Sequence, residues 1–310
     1  MCKQCDRSRH DKREKRCREC DVDTLKGILD GRQEVPIVET EGYGKIGVAF
    51  DCKDHFTVSG YFKKLSSRLL SIGGTPAHIH RNLAGRNGEV KYSLTVKESK
   101  DGKSGKLSPC DNRFKLAEGD TKQDFLEGKL YVNIHTEDHP SGELRAQLLP
   151  ESKEQYIVLL DGSNEVPPVD TNANGKLVGY LEDCVLTLTG SVNNIESGFL
   201  YILGTPGHIH EGEEGQNGPV VRSLALQPNE DPCNCVDCDD RDDCDGCGTE
   251  ANIQARDNSF ILSGKQKKTL NDKGYYVNIH SNTYGSGELR AQIIKLGRKP
   301  YHKKSDCGCE

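Results

Sequence analysis

The chain has no tryptophan, a single methionine and only 6% aromatic residues in 310. So few large rings leave a helical bundle little to fill its core with. The 33 glycines favour short strands joined by tight turns instead. No apolar run approaches the roughly eighteen residues that a helix needs to cross a bilayer. Membrane insertion is therefore not expected. A broad field of one sign is missing as well. The net charge of -6 equals that of residues 231–247 alone, which carry seven Asp and one Arg, so the remainder is near neutral. Nothing in that balance points to nucleic acid or to an anionic surface. Residues 1–21 hold eight Lys/Arg against five Asp/Glu, too mixed in sign for a nucleic-acid arm. They also lack the apolar stretch of a secretory signal, although fourteen cysteines would suit an oxidising compartment.

What is present is a duplication. Asp30-Gly31-Arg32-Gln33-Glu34-Val35-Pro36 recurs as Asp161-Gly162-Ser163-Asn164-Glu165-Val166-Pro167, and Thr75-Pro76-Ala77-His78-Ile79-His80 as Thr205-Pro206-Gly207-His208-Ile209-His210. Tyr131-Val132-Asn133-Ile134-His135 returns as Tyr276-Val277-Asn278-Ile279-His280, and Ser141-Gly142-Glu143-Leu144-Arg145-Ala146-Gln147 returns unchanged at Ser286 to Gln292. Self-similarity of this kind marks two copies of one folding unit. His78 and His208 are 130 residues apart and His135 and His280 145 apart, so the second copy holds an insertion between its two His motifs. The expected organisation is an arm at 1–24, a domain at 25–150, a second at 151–296 with an acidic, Cys-rich insertion at 231–247, and a Cys-bearing tail at 297–310.

Within each copy the pattern has period two. Leu186, Leu188 and Val192 alternate with Thr187 and Thr189, the signature of a half-buried antiparallel strand. Turn signals such as Asn172-Ala173-Asn174-Gly175 and Arg86-Asn87-Gly88 punctuate such runs, as a sandwich or Greek-key barrel requires. No helix of convincing length is expected. The same alternation puts Leu130, Val132 and Ile134 on one face and Tyr131, Asn133 and His135 on the other. If the strands are neighbours, His78, His80, His135 and Arg145 converge on the sheet's outer surface, as do His208, His210, His280 and Arg290.

Two imidazoles at i and i+2 of a strand lie about 7 Å apart at Cα and can chelate one ion. A third from a neighbouring strand completes a three-nitrogen set suited to copper or zinc. The alternative is that these histidines bind loop carbonyls and pin the excursion after Pro76 or Pro206. Glu143 with Arg145, and Glu288 with Arg290, share a face at i, i+2. They are expected to form structural salt bridges, with each other or with a carboxylate on the next strand.

In this order, Glu-Val-Pro, Ala/Gly-His-Ile-His, Tyr-Val-Asn-Ile-His and Ser-Gly-Glu-Leu-Arg-Ala-Gln resemble the CHRD domain, named for the secreted protein chordin and found in many bacterial proteins. The resemblance covers 28–149 and 157–295. It implies an all-β chain of two tandem immunoglobulin-like Greek-key β-sandwiches with limited similarity to copper/zinc superoxide dismutases. By that similarity His78 and His80 look like the dismutase His-x-His copper ligands, His135 like a further ligand, and Arg145 like the anion-guiding arginine. No counterpart of the metal-bridging histidine or of the zinc loop is found, so dismutase activity is not carried over.

Cys52 and Cys184 each follow an Asp at equivalent strand starts, and Cys110 and Cys233 each follow a Pro. One bond per domain is expected, Cys52 to Cys110 and Cys184 to Cys233, stabilising each by about 4 kcal/mol in the chain-entropy model. Cys2, Cys5, Cys17 and Cys20, like Cys235, Cys238, Cys244 and Cys247, form paired C-x-x-C units that suit zinc if reduced. The opposing reading is cross-linking between molecules, in which Cys307 and Cys309 would share.

The function expected first is therefore that of a non-enzymatic surface protein whose Cys-bearing extensions join copies into a disulfide-linked coat, sheet or filament. The alternative is a copper- or zinc-binding protein with a dismutase-like His site on each domain. An extracellular, cell-surface or spore-surface location without a secretory signal suits the first reading, and the cytoplasm is the alternative.

Overall fold

The computed structural model describes residues 23–51, 54–152, 154–229 and 248–297. They divide into two compact units, the first of 23–36 and 43–152 and the second of 37–42 and 154–297.

The strands of the first unit are β1 (Thr24–Leu29), β2 (Tyr43–Phe50), β3 (His55–Lys63), β4 (Ala77–Arg81), β5 (Glu89–Ser93), β6 (Lys97–Glu98), β7 (Gly105–Leu107), β8 (Arg113–Lys115), β9 (Leu130–Ile134), β10 (Leu144–Gln147) and β11 (Leu149–Pro150). β11, β1, β2, β3, β7 and β6 form one antiparallel sheet in that order, with β8 also on β3. β10, β9, β4 and β5 form the other. The chain crosses between the sheets after β3, β5, β8 and β10, which makes a Greek-key sandwich.

Alternation decides what lies between the sheets. Leu25, Leu29, Ile46, Val48, Phe56, Val58 and Phe62 from the first pack on Ala77, Ile79, Val132, Ile134, Leu144 and Ala146 from the second. At Gly27 the sheets approach closely, for a Cβ there would stand 2.8 Å from the Ala146 methyl carbon. An isolated antiparallel bridge between Asp30 and Arg145 ties one edge of the sandwich together.

The second unit repeats this plan with β12 (Glu154–Asp161), β13 (Asn174–Glu182), β14 (Val185–Asn193), β15 (Gly207–Glu211), β16 (Val220–Leu224), β17 (Gln227–Pro228), β18 (Ala251–Ile253), β19 (Ser259–Ile261), β20 (Tyr275–Ile279), β21 (Leu289–Gln292) and β22 (Ile294–Lys295). Here the bridge Asp161 to Arg290 makes the two sheets one continuous path, from β16 to β17. The core includes Leu186, Leu188 and Val192 of β14. The expectation that β14 is half-buried needs correction, because Thr187, Thr189 and Ser191 on its other face are also buried. Small hydroxyl side chains tolerate that cover when hydrogen-bonded, as Thr187 is to Ser259 Oγ at 2.9 Å.

Two short helices, too short to disturb the all-β plan, are also present: α1 (Lys122–Leu126) and α2 (Gly264–Asn271). Each opens with a capping box, Thr121 with Asp124 and Ser263 with Gln266. Such a pair of reciprocal bonds starts a helix in a segment with no apolar periodicity to announce it. No helix among the described residues is long and apolar enough to cross a membrane.

Candidate metal site

The outer face of the β10-β9-β4-β5 sheet carries two rows of side chains. His78, Asn133 and Arg145 lie in register across β4, β9 and β10, and so do His80, Tyr131 and Gln147. His135 follows β9 directly, its backbone N–H donating to the Pro76 carbonyl at 2.9 Å. Period two thus brings the three histidines together on the expected face, but that face is not the molecular surface. His78 is 3% exposed, His135 5% and Arg145 0%. The correction applies equally to the second unit, where His208, His280 and Arg290 are buried and His210 half-buried. The physical reason is two loops laid over the face, each held by long-range hydrogen bonds.

Glu143 holds the loop that precedes β4. It accepts from Ser66 N and Oγ at 2.8 and 2.9 Å and from Thr136 Oγ1 at 2.8 Å. Arg145 holds the loop between β4 and β5, donating to Leu83 O at 3.0 Å and Arg86 O at 2.9 Å, and to Gln147 Oε1 at 3.0 Å. Gln147 donates to Asn82 O of the same loop at 2.7 Å. The salt bridge expected between Glu143 and Arg145 is replaced by this division of labour, since a planar fork of donors fits two converging carbonyls. In the second unit Glu288 accepts from Thr171 Oγ1 and Glu196 N at 2.6 and 3.1 Å. Arg290 donates to Glu213 O, Gln216 O and Asn217 Oδ1 at 3.1, 2.6 and 2.8 Å.

The loop in turn orients the histidines. His80 Nδ1 lies 3.0 Å from Gly88 O and His135 Nδ1 2.9 Å from Pro140 O, and His78 hydrogen-bonds the Ile72 carbonyl. The second unit matches: His210 Nδ1 to Gly218 O at 2.9 Å, His280 Nδ1 to Gly285 O at 3.1 Å, His208 Nε2 to Ile202 O at 2.9 Å. A carbonyl only accepts, so each ring spends its one N–H on the backbone. That fixes the tautomer and leaves the other nitrogen with a lone pair. In each unit one nitrogen from each ring lies within 4.8 Å of the others, and in the first unit His78 Nδ1 and His135 Nε2, both on the inward side, are 3.1 Å apart. Buried His80 Nε2, His208 Nδ1 and His210 Nε2 have no hydrogen-bond partner.

Burial keeps the rings neutral. Desolvation lowers the pKa of His78, His80, His208 and His210, and brings His135 and His280 down to about 4. Burial also pushes Glu165 up to about 7 and Arg145 down to about 10, which leaves the guanidinium charged at neutral pH.

Three residues of this assembly are given no part in the site by the sequence, although its alternation places Tyr131 on the histidine face. The Tyr131 ring lies parallel to His80 at 5.0 Å between centroids and carries the Arg145 guanidinium 3.4 Å from its centre. Tyr276 does the same with His210 at 4.9 Å and Arg290 at 3.6 Å. Glu165 Oε2 is 3.5 Å from Asn278 Nδ2, and a Cβ at Gly287, where φ is +137°, would stand 2.6 Å from its other oxygen. Each sits inside a repeated motif, which was the available signal.

The cysteine expectations fall mostly outside the described residues: Cys2, Cys5, Cys17, Cys20, Cys52, Cys233, Cys235, Cys238, Cys244, Cys247, Cys307 and Cys309. Cys110 and Cys184 are exposed free thiols. Among the described residues the two histidine triads are the His/Cys/Asp/Glu clusters that fit a metal ion.

Fold and site together define a tandem of β-sandwich domains, each with a roofed three-histidine cluster. The CHRD domain profile matches residues 25–148 and 156–293, and the chain belongs to the CHRD domain family. No curated protein and no solved structure matches it.

Proposed function

We propose that each CHRD domain of this chain binds one transition-metal ion, copper or zinc, through His78, His80 and His135 in the first and His208, His210 and His280 in the second. One observation carries the reading: in both domains all three rings give their N–H to backbone carbonyls and turn their lone pairs inward. Two nitrogens bound to one ion at about 2.05 Å stand about 2.9–3.4 Å apart for bond angles of about 90–109°. His78 Nδ1 and His135 Nε2 are separated by 3.1 Å. A bound ion would supply Lewis acidity, and copper a one-electron couple as well. The protein's part is to hold neutral imidazoles in place, with the carbonyls of Ile72, Gly88 and Pro140 setting their orientation.

Elemental analysis of the purified chain tests this. With the thiols alkylated, two equivalents of copper or zinc are expected per chain, falling to one in His80→Ala and to none when His210→Ala is added. A chain free of both metals after loading and buffer exchange overturns the reading.

A second reading keeps the cysteines in view: assembly of copies at a cell or spore surface through disulfides. It rests on the cysteines of the two ends and of the acidic insertion, with Cys110 and Cys184 exposed on the folded domains. Non-reducing electrophoresis of native material gives ladders that collapse on reduction under this reading, and a clean monomer otherwise.

A further inference from the structure

The two triads have the same backbone around them and opposite charge over them. The loop from the residue after the second histidine to the glycine that orients it reads Arg81-Asn82-Leu83-Ala84-Gly85-Arg86-Asn87-Gly88 in the first domain. In the second it reads Glu211-Gly212-Glu213-Glu214-Gly215-Gln216-Asn217-Gly218. Its scaffolding is shared: Gly88 and Gly218 carbonyls face His80 and His210. Their N–H groups donate to Tyr131 and Tyr276 hydroxyls, both at 3.0 Å. Arg145 and Arg290 hold loop carbonyls from below. With the main chain fixed alike, side-chain charge is where the domains part: two arginines in one loop, three glutamates in the other.

Neighbouring charges reduce the contrast to near-neutral over the first triad against acidic over the second. Arg81 is paired with Asp120 at 2.6 Å and Asp124 at 3.1 Å, while Lys91 pairs with Glu89 at 2.7 Å beside it. On the second domain Glu211, Glu213 and Glu214 are exposed, with Arg222 on β16, whose charge like that of Glu211 acts on Tyr275, and Lys273, next to the Gly274 that accepts from Gly212 N, as bases nearby. Beneath this acidic rim His208 is fully buried with Nδ1 unpartnered, and His210 Nε2 is unpartnered too. Exposed charge of one sign over a buried site raises the local concentration of the opposite ion, and with it the association rate.

Resting on the metal reading above, we infer that the domains are not equivalent and that the second is the receiving site for free divalent cations. Glu211, Glu213 and Glu214 act by steering, not as ligands. A hydrated cation reaches His208, His210 and His280 first, whereas the first domain, with Arg81 and Arg86 in its loop, fills more slowly.

The test uses the full chain, stripped with chelator, in two single-site forms: His80→Ala, which leaves the second site, and His210→Ala, which leaves the first. Circular dichroism checks that each folds; His80→Gln and His210→Gln serve if either alanine variant does not. Cu2+ is mixed in rapidly and uptake followed by quenching of tyrosine fluorescence, since Tyr131 and Tyr276 stack on the ligands. At low ionic strength the second site is expected to fill about ten-fold or more faster. Salt at about 0.5 M should close most of the gap. Adding Glu211→Gln, Glu213→Gln and Glu214→Gln to His80→Ala should bring its rate down to that of the first site. Equal rates in the two single-site chains, or a rate that the three substitutions leave unchanged, overturn the inference while the metal reading stands. Absence of uptake by both chains overturns both.

Discussion

His78 Nδ1 lies 3.1 Å from His135 Nε2, yet with both rings neutral and both N–H groups given to Ile72 and Pro140 carbonyls there is no proton to place between them. Two lone pairs at hydrogen-bonding distance repel. Burial holds both pKa values down, so protonation does not relieve the contact at neutral pH. A cation between the nitrogens does.

His135→Gln should therefore separate the metal-free and metal-loaded proteins. Without metal it is expected to cost no more than about 1 kcal/mol, the size of one net hydrogen bond. With metal at about 100 times its dissociation constant, the wild-type domain gains about 2.7 kcal/mol by linkage. The first domain of the variant should show none of that gain. Thermal unfolding with and without added Zn2+ measures both.

Arg145→Met should loosen the loop over the first site. It removes the donors from Leu83 O and Arg86 O, and each buried acceptor left unsatisfied costs about 1–3 kcal/mol. Lysine cannot replace the fork and the stack on Tyr131 together, so Arg145→Lys should recover less than half of the loss. Denaturant titration gives the stability. Hydrogen exchange should show faster opening confined to 82–88.

Metal-free stability should fall on acidification across a window set by the buried rings. His135 and His280 have folded pKa values of about 4, below the ordinary 6.5 of the unfolded chain. Above pH 6.5 both states are neutral and stability does not depend on these rings. As pH falls towards 4 the unfolded chain takes up protons first, and stability is lost. Urea midpoints between pH 7.5 and 4.5 should decline in the wild type, and decline less in the combined His135→Gln, His280→Gln variant.

Glu165 works in the opposite direction. Its folded pKa is raised to about 7 by burial, so the contribution of its neutral form is complete below about pH 4.5 and is lost as pH rises through 7. Glu165→Gln imitates the protonated acid. It should leave stability unchanged at pH 4.5 and raise it by on the order of 1–2 kcal/mol at pH 8. A destabilised variant at pH 8 would mean that the ionised carboxylate makes a favourable contact.

The duplication, the strands and the shared face of the three histidines were legible in the sequence, because a strand's period of two assigns sides without knowledge of the fold. The roof was not. It depends on Arg145 reaching carbonyls 59 and 62 residues away and on Glu143 reaching Ser66 across 77, pairings that local pattern does not encode. Hence the polar face was expected to be open, and Glu143 and Arg145, same-sided and two residues apart, to pair. The capped helices α1 and α2 escaped for a related reason, since four residues of hydrogen bonding define a start while periodicity needs a longer window.

Arg145 and Arg290 grip main-chain oxygens, which every amino acid supplies. The exposed positions of the stretch over each triad, such as Glu213 and Glu214 in the second domain, can therefore be rewritten with little structural toll, provided that Asn87 or Asn217, the glycines and the spacing stay. That makes the domain a ready chassis for engineering, in which a library of loop sequences could be displayed above three invariant imidazoles and screened for the cation each one admits.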